Sequence, residues 1–411
     1  MPQNIINALA DHTVGNLHLI TSNAGSNNYG IYPLIKANKV AKITTSSIDE
    51  CDILQEQLKA GKIDVEFVPL GILSEKIRSG GFGIPAFYST TGYGTEFQKG
   101  KETKTINGKS YVLEHTILAD IAIVKAWKAD TKGNSIFRKC SINYNPDAGM
   151  GGRFCIVEAE EIVEVGALNG DDIHLSGVFV HRVVKSTNSS CPNLTPKNLD
   201  NIIGEGEMKT KRETIIKRAA QEIKDGMYVH LGRGLPKLAR KYLHPKINAD
   251  FFTENGIIGA TDKGEDILDE ENIMGSIQKG GVAMKASDAY ALLRSGKLDL
   301  IISEGLQVSA NGDLSNVKNG SMHSMYDLCA SNTPIVVIME QLNAEGMPNL
   351  VKSCTMPLNG VGVVSKLITE MGVFKFLNGK PMLVELAKGV DVATVKKSCG
   401  CEISVCKCLP Q

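Results

Sequence analysis

The chain has 411 residues, which is enough for two α/β domains that each bury a substantial core. Its 45 basic and 45 acidic residues cancel, so the charge gives no reason to expect a nucleic-acid partner or a membrane surface. No apolar run approaches the ~18 to 20 residues of a membrane span. The N-terminus shows neither a secretory apolar region nor an Arg-rich transit segment. The 41 glycines, beside a single tryptophan, indicate many tight turns between strands and helices.

The chain repeats one plan in its two halves. Residues 120–134 and 299–313 have equal length, and each runs from an Asp through a buried strand towards a second strand and a turn with a central Gly. Near the start of each half a helix-like stretch leads to another strand, which ends at Ser22 in the first half and at Glu254 in the second. The sequence therefore predicts two duplicated α/β domains with mostly parallel sheets. The first copy begins at Met1 without the strand that opens the second copy, so we expect its first strand to be missing.

A segment between the two copies has the composition of a linker. Residues 185–211 contain a Ser-Thr-Asn-Ser-Ser run, two prolines and few apolar side chains. We therefore expect an N-terminal domain over residues 1–184, an exposed linker over 185–211 and a C-terminal domain over 212–411.

The C-terminal domain continues with alternating helices and strands. Its first helix is predicted over residues 213–224, with one apolar face formed by Ile215, Ile216, Ala219, Ala220 and Ile223. A strand over 227–231 leads into a Gly-rich turn over 232–236. A further helix from Ser287 to Arg294 is predicted to be capped by Ser287 and ended by Gly296. Strands are predicted over residues 335–339 and 382–386.

The stretch over residues 251–256 is the strongest candidate for a functional site. Two aromatic residues form a short apolar run that stops at Glu254, followed by Asn255 and Gly256. This pattern predicts a buried strand that delivers Glu254 to a loop, and in open α/β sheets ligands bind at the carboxyl ends of the strands. A Glu at a strand end is also common as a solvated turn residue, so the hexapeptide alone leaves both interpretations open.

Several segments resemble one enzyme family over nearly the whole chain. They cover residues 80–95, 124–130, 136–139, 157–166, 215–220, 225–228 and the Glu-Asn-Gly signature at 254–256. In these segments the chain is similar to the family I coenzyme A transferases. The resemblance implies transfer of CoA from succinyl-CoA to a 3-ketoacid such as acetoacetate, as in ketone-body catabolism, through a covalent thioester on Glu254. It further implies a homodimer, a mitochondrial matrix location, and neither a metal nor an organic cofactor besides the CoA substrate.

Residues that assist Glu254 are harder to identify. Asn23 lies in a Ser-Asn-Ala-Gly run that resembles a family motif, and its amide is a candidate donor to the acyl oxygen or to the substrate carboxylate. An Asn that only satisfies its own turn has the same sequence pattern. Asn255 and Gly256 of the Glu-Asn-Gly signature are candidate substrate-binding residues, and the backbone N–H of Gly256 is a candidate donor. Gly232 and Gly234 are candidate substrate-binding residues that would supply backbone N–H donors, although a tight structural turn explains this Gly pair equally well.

The chain also departs from the family pattern at three places. Residues 320–327 replace a Gly-rich run with bulkier side chains, residues 260–265 lack an expected Gly-Pro segment, and Glu304 adds a carboxylate at a strand end. If Glu304 lies close to Glu254, mutual repulsion will raise one pKa and weaken the nucleophile. Two alternatives therefore stay open: a catalytically impaired paralogue that keeps the fold, and a transferase that uses acetate as acceptor.

The cysteines and histidines are weaker candidates for a metal site or a catalytic base. The ten cysteines are expected to be free thiols in a reducing compartment. Four of them lie near the C-terminus as two C-x-C pairs, namely Cys399, Cys401, Cys406 and Cys408. Free thiols in a mobile tail are favoured there over a zinc site, because structural zinc sites more often use C-x₂-C spacing. His230 lies in an apolar strand and is expected to be a core residue rather than a base.

Overall fold

The computed structural model describes residues 1–187, 202–261, 267–268, 274–316, 324–377 and 379–409. The helices, numbered in chain order, are α1 (Gln3–Asp11), α2 (Tyr32–Lys36), α3 (Asp52–Lys59), α4 (Leu70–Gly81), α5 (Asn145–Met150), α6 (Gly206–Ala220), α7 (Ala286–Arg294), α8 (Met325–Cys329) and α9 (Val392–Lys397). None of the helices in these described ranges is both long enough and apolar enough to cross a membrane.

The first half contains three small sheets. The strands are β1 (Leu17–Ile20), β2 (Val40–Thr45), β3 (Asp64–Phe67), β4 (Ala86–Ser89), β5 (Thr103–Ile106), β6 (Lys109–His115), β7 (Ala119–Asp130), β8 (Ser135–Ile136), β9 (Gly152–Val163) and β10 (Arg182–Lys185). The order β1-β2-β3 forms a parallel sheet, β4-β6-β5 an antiparallel one, and β10-β9-β7-β8 a sheet that is parallel except for β8.

The second half is built on one large sheet of 11 strands. The strands of this half are β11 (Tyr228–Leu231), β12 (Asp250–Thr253), β13 (Ile257–Thr261), β14 (Ile267–Leu268), β15 (Met274–Ala283), β16 (Leu300–Glu304), β17 (Gln307–Ser309), β18 (Leu314–Ser315), β19 (Ile335–Ile338), β20 (Leu350–Val351), β21 (Val364–Ile368), β22 (Gly372–Leu377), β23 (Lys380–Leu386) and β24 (Ser404–Val405). The large sheet has the order β14-β15-β13-β12-β11-β16-β19-β21-β22-β23-β24, while β18-β17-β20 form a small sheet.

The centre of the large sheet is parallel and buried on both faces. Strands β12, β11, β16, β19 and β21 pair in parallel, and antiparallel strands extend the sheet on either side. Successive residues of a strand point to opposite faces. Ile301 and Val337 accordingly belong to one hydrophobic cluster and Ile302 and Val336 to another. Burial on both faces explains why these strands are continuous apolar runs in the sequence.

The expectation of a mixed α/β chain with mostly parallel sheets is confirmed. The repeated plan differs in one detail. Residues 119–130 form the single long strand β7, whereas the equivalent stretch of the second half breaks at Gly305 into β16 and β17. In addition β23, predicted as part of a parallel alternation, pairs antiparallel with β22.

Several predicted elements start or end elsewhere. Helix α6 begins at Gly206, so part of the predicted linker is helical, while residues 188–201 lie outside the described residues. The apolar face predicted for this helix is buried as expected. Ser287 is not the cap of α7, because the helix starts at Ala286 and Lys285 takes the N-cap position. Gly296 does follow the end of α7 in the left-handed conformation, with φ of 68°.

Candidate active site

Glu254 lies in the tight turn between β12 and β13. The N–H of Gly256 donates to the carbonyl oxygen of Thr253 at 3.0 Å, which closes the turn. Gly256 has φ of 81°, and a Cβ atom there would collide with the carbonyl oxygen of Met284, so only glycine fits this position. The turn holds Glu254 with only 5% of its surface exposed. The Glu-Asn-Gly sequence therefore fixes a buried carboxylate at the end of a central strand.

Three side chains surround the Glu254 carboxylate. The Ser324 hydroxyl, at the start of α8, donates a hydrogen bond to Oε1. Nε2 of His230, on β11, lies 3.6 Å from the same oxygen, and a guanidinium nitrogen of Arg233 lies 4.0 Å from Oε2. Burial by itself raises the pKa of a carboxyl group. Here the hydrogen-bonding and charged neighbours outweigh burial, and the pKa of Glu254 lies well below its ordinary value.

His230 is a core residue that also contacts the site. Its ring is fully buried, as the sequence predicted, and packs edge-on against Phe252 with ring centroids 5.9 Å apart. Nδ1 lies 3.2 Å from the carbonyl oxygen of Phe252, while Nε2 faces Glu254. Both ring nitrogens thus face oxygen atoms that accept hydrogen bonds, and the ring is one of the neighbours that lower the pKa of Glu254.

A cavity of about 350 Å³ opens between the two halves of the chain beside Glu254. This volume lies in the range of small-molecule sites. Its lining from the first half includes Ser22, Asn23, Asp49, Glu50 and Tyr144, and its lining from the second half includes Arg233, Glu254, Asn255 and Tyr290. The ends of β1 and β12, predicted to be equivalent in the two copies, therefore meet at one cavity.

Asn23 combines the two roles that the sequence left open. Its side-chain oxygen accepts a hydrogen bond of 3.0 Å from the N–H of Gly25, so the residue does stabilise its own turn. Because this bond uses the carbonyl end of the amide, the NH₂ end is the part of the side chain that can donate in the cavity. Asn255, from the turn that carries Glu254, lines the same cavity.

The glycines predicted to supply backbone donors have other partners. The N–H of Gly232 donates to Ile302 at 2.8 Å within the sheet, and the N–H of Gly256 is used in the turn described above. These two amides therefore do not support the predicted role as donors to a substrate. Gly234 has φ of 79°, and its Cβ position would lie 2.8 Å from Oε1 of Glu304. None of these three glycines is among the described residues that line the cavity.

The Glu304 carboxylate is directed to the turn after β11. Its Oε1 accepts a hydrogen bond of 2.8 Å from the N–H of Leu235, in the Gly-rich turn. The pKa of Glu254 is lowered, not raised, and the neighbours that lower it most are His230, Arg233 and Ser324. This shift has the direction opposite to the one that close repulsion by Glu304 would cause at Glu254.

Sequence reasoning missed most of the residues around Glu254. Arg233 stood between two conspicuous glycines, yet nothing in the sequence indicated that its side chain faces Glu254. Ser324 was noted only as part of an altered loop, and residues 320–323 of that loop, like residues 262–265 of the second altered segment, lie outside the described residues. Tyr144 and Tyr290 also line the cavity, and burial raises the pKa of both phenols, so they face it uncharged.

The C-terminal cysteines differ from the expectation of free thiols in a mobile tail. Cys406 and Cys408 are joined in a disulfide, while Cys399 and Cys401 are free. The segment is also ordered, because β24 pairs in parallel with β23. Among the described residues there is no cluster of three or more His, Cys, Asp or Glu side chains that could hold a metal ion.

Known proteins share both the sequence and the fold. A family model for coenzyme A transferases matches residues 1–186 and 212–398. The mitochondrial succinyl-CoA:3-ketoacid coenzyme A transferase 2A of Rattus norvegicus is 36% identical over 439 residues, which cover 99% of this chain and 84% of the relative. The mitochondrial transferase 2 of Homo sapiens is 37% identical over 98% of this chain and 84% of its own length.

The same fold is found in a solved structure. The crystal structure of an acyl-CoA transferase from E. coli O157:H7, in a thioester complex with CoA, matches with a TM-score of 0.74 at 18% identity. The match covers 98% of this chain and 88% of that one. Together with the family model and the relatives, it shows that the chain belongs to the coenzyme A transferase family and is a CoA transferase.

Proposed function

We propose that the protein transfers CoA from succinyl-CoA to a 3-ketoacid such as acetoacetate, through a covalent CoA thioester on Glu254. One observation carries this proposal: Glu254 is held in its ionised form at the wall of the cavity between the two halves. The relatives named above as succinyl-CoA:3-ketoacid transferases support the choice of substrates. No metal ion and no cofactor besides the CoA substrate takes part in the proposed steps.

The proposed reaction begins with an attack on the thioester. The Glu254 carboxylate attacks the acyl carbonyl carbon, the carbon–sulfur bond breaks, and a mixed anhydride and the CoA thiolate are formed. The thiolate then attacks the glutamyl carbonyl carbon, which releases the first acid and leaves CoA bound to Glu254. The second acid reverses both steps. An ionised carboxylate is needed for the first attack, and the lowered pKa of Glu254 provides it at neutral pH.

Each step passes through a tetrahedral intermediate with a negatively charged oxygen. Donors that point at this oxygen accelerate acyl transfer, and the loss of one donor typically costs about 10²- to 10³-fold in rate. In the cavity, we assign this role to the side-chain NH₂ of Asn23, because it lies on the wall formed by the first half, across from the turn that carries Glu254. Asn255 is assigned to the binding of the substrate carboxylate or acyl oxygen.

The family resemblance implies an assembly, and the relatives suggest a location. We propose that the protein is a homodimer, and that it acts in the mitochondrial matrix, as the relatives described as mitochondrial suggest. Sedimentation at micromolar concentration tests the first point, because a monomer at concentrations that support full activity would contradict it. Fractionation of the source cells tests the second point.

Mass spectrometry of the intact protein tests the proposed intermediate. Incubation with acetoacetyl-CoA or succinyl-CoA is expected to add one CoA to the wild-type protein and none to Glu254→Gln. Glu50→Gln is the matched control, since it removes another carboxylate from the same cavity and is expected to keep the adduct. An adduct that persists in Glu254→Gln would place the nucleophile elsewhere. A wild-type protein that stays unmodified at saturating substrate would instead favour the impaired paralogue.

The acceptor is tested on the loaded protein. Acetoacetate is expected to discharge the CoA adduct and to yield acetoacetyl-CoA. Discharge by acetate at lower concentrations than acetoacetate would assign the protein to the acetate-using transferases, while the mechanism through Glu254 would stand.

A further inference from the structure

Arg233 lines the cavity from a turn whose backbone is hydrogen-bonded on both sides of it. It lies in the turn after β11, between two glycines whose backbone is fixed on both sides. The N–H of Gly232 is bonded to the sheet, and the N–H of Leu235 is bonded to Oε1 of Glu304 at 2.8 Å. The Arg233 side chain is 36% exposed, and one of its guanidinium nitrogens is 4.0 Å from Oε2 of Glu254. The turn therefore places a positive charge beside the nucleophile without removing it from solvent.

Arg233 is also the only basic residue among the described residues that line the cavity. The other charged lining residues are Asp49, Glu50 and Glu254, all of them acidic. A carboxylate substrate that enters this cavity is repelled by the two carboxylates of the first half. Arg233 is the lining group whose charge attracts it, and a guanidinium matches the planar shape of a carboxylate better than an ammonium group does.

The charge next to Arg233 changes during the proposed reaction. In the resting protein, Arg233 faces the negative charge of Glu254 and helps to lower the pKa of that carboxyl group. Once Glu254 carries CoA as a thioester, it is neutral, and this attraction is lost. The carboxylate of the incoming acid attacks the thioester carbonyl carbon, so it has to come within a few ångströms of the Arg233 guanidinium. The position of Arg233 therefore suits the incoming acid at the stage when Glu254 no longer carries a charge.

We infer that Arg233 binds the carboxylate of the acid that discharges the Glu254 thioester, and so restricts the acceptors to carboxylic acids. This inference rests on the proposed function. In the step concerned, a carboxylate oxygen attacks the Glu254 carbonyl carbon, the carbon–sulfur bond breaks, and the CoA thiolate leaves. The thiolate then attacks the acyl carbonyl of the anhydride, which forms the new acyl-CoA and restores the Glu254 carboxylate. No electron is transferred to or from another reactant.

The experiment uses the loaded protein and two kinds of nucleophile. The wild type, Arg233→Leu and Arg233→Lys are loaded with CoA from acetoacetyl-CoA, freed of small molecules, and mixed with a series of acetoacetate concentrations. Mass spectrometry follows the loss of the adduct. Arg233→Leu is expected to raise the half-saturating acetoacetate concentration by about tenfold or more, the usual cost of losing a hydrogen bond to a charged group. Arg233→Lys is expected to fall between the two.

Discharge by hydroxylamine distinguishes a loss of acid binding from a structural defect at Glu254. Hydroxylamine is a neutral nucleophile that cleaves thioesters and needs no cation to bind it. Arg233→Leu is expected to be discharged by hydroxylamine at the wild-type rate, and a structural defect at Glu254 would change this rate too. Arg153→Leu removes an exposed arginine that does not line the cavity and is expected to behave as the wild type with both nucleophiles.

The outcomes distinguish the inference from the proposed function. If the wild type loads and Arg233→Leu keeps the wild-type half-saturating acetoacetate concentration, the inference is overturned and the thioester mechanism stands. If the wild type does not load, the proposed function and the inference fail together. If Arg233→Leu alone does not load, Arg233→Gln takes its place, with the same expected rise and the same overturning result.

Discussion

The carboxylate of Asp327 accepts a hydrogen bond of 2.7 Å from the backbone N–H of Gly71, which belongs to the other half of the chain. Its second oxygen accepts a hydrogen bond of 3.2 Å from the Thr91 hydroxyl, also in the first half. Asp327 lies on α8, and Gly71 lies in the first turn of α4. Since Ser324 precedes α8 directly, the same short segment contacts both the first half and Glu254.

Asp327 is predicted to make stability depend on pH. Burial raises the pKa of this carboxyl group to about 7, although the Gly71 N–H and Arg294 oppose the shift. The folded protein therefore keeps a proton that the unfolded chain loses near pH ~4. The contribution of Asp327 to the free energy of unfolding is present in full below that pH. It decreases as the pH rises to about 7 and does not change further above it. The slope from this group is at most about 1.4 kcal/mol per pH unit.

The variant Asp327→Asn tests this dependence. Asn cannot ionise but keeps an oxygen that can accept from Gly71, so the stability advantage of Asp327→Asn over the wild type is expected to grow between about pH 5 and about pH 7. Urea unfolding at several pH values measures it. Asp225→Asn, at an exposed carboxylate, is the control and is expected to leave the slope unchanged. Parallel curves for Asp327→Asn and the wild type would show that Asp327 is already ionised at pH 5.

The position of Glu254 could be predicted from the sequence because the signals are local. Two aromatic residues fix a buried strand, and Gly256 supplies the positive φ that ends it. The contacts of Glu254 could not be predicted in the same way. Ser324 lies 70 residues away along the chain, and its contact depends on how α8 packs. The direction of the Glu304 carboxylate was missed because strand patterns give the face of a side chain, not its hydrogen-bond partner.

Ser324→Ala is predicted to loosen the position of the Glu254 carboxylate. The Ser324 hydroxyl donates to the charged oxygen of Glu254, and a hydrogen bond to a charged group contributes about 1.5 to 3 kcal/mol. Without this bond Glu254 stays ionised at neutral pH, but its carboxylate is less well positioned for attack. The rate of CoA adduct formation is therefore expected to fall by about tenfold, and the pKa of Glu254 is expected to rise. Stopped reactions analysed by mass spectrometry give the rate.

A second buried serine provides the control for this variant. Ser315→Ala removes a hydroxyl that donates to the carbonyl oxygen of Pro357 at 2.8 Å, away from the residues that line the cavity. It is expected to leave the rate of adduct formation unchanged. Equal rates in Ser324→Ala and the wild type would mean that the hydroxyl has no part in positioning Glu254.

His230→Gln is predicted to move the acid limit of the reaction. In the wild type, the lowered pKa of Glu254 keeps the carboxylate ionised as the pH falls, so adduct formation is expected to persist below pH ~4.3, where an ordinary Glu is half protonated. Gln removes the ring whose Nε2 lies 3.6 Å from Oε1 and which helps to lower the pKa of Glu254, so the pH at which half of the rate is lost is expected to rise.

The control is His115→Gln, which alters an exposed histidine at the end of β6. Its acid limit is expected to match the wild type. Circular dichroism at each pH confirms that the variants stay folded over the range used. An acid limit in His230→Gln at the wild-type value would show that the imidazole does not stabilise the carboxylate.

Gly256→Ala is predicted to cost more stability than a comparable change elsewhere. Gly256 and Gly61 both have positive φ, of 81° and 65°, so alanine is strained at either position by about 1 to 2 kcal/mol. Around Gly61 no atom lies within 4 Å of the new Cβ, whereas at Gly256 the new Cβ collides with the carbonyl oxygen of Met284. Backbone atoms cannot move aside as a flexible side chain does.

Both variants lose stability through the strained φ, but only Gly256→Ala also loses stability through the collision. The difference between their unfolding midpoints therefore measures the cost of the collision. Gly61→Ala is expected to lower the unfolding midpoint in urea and to keep wild-type formation of the CoA adduct. Gly256→Ala is expected to lower the midpoint further, and also to slow adduct formation, because the same turn positions Glu254. If both variants lose the same stability and both form the adduct at the wild-type rate, the turn tolerates a side chain and the Glu254 geometry does not depend on glycine at position 256.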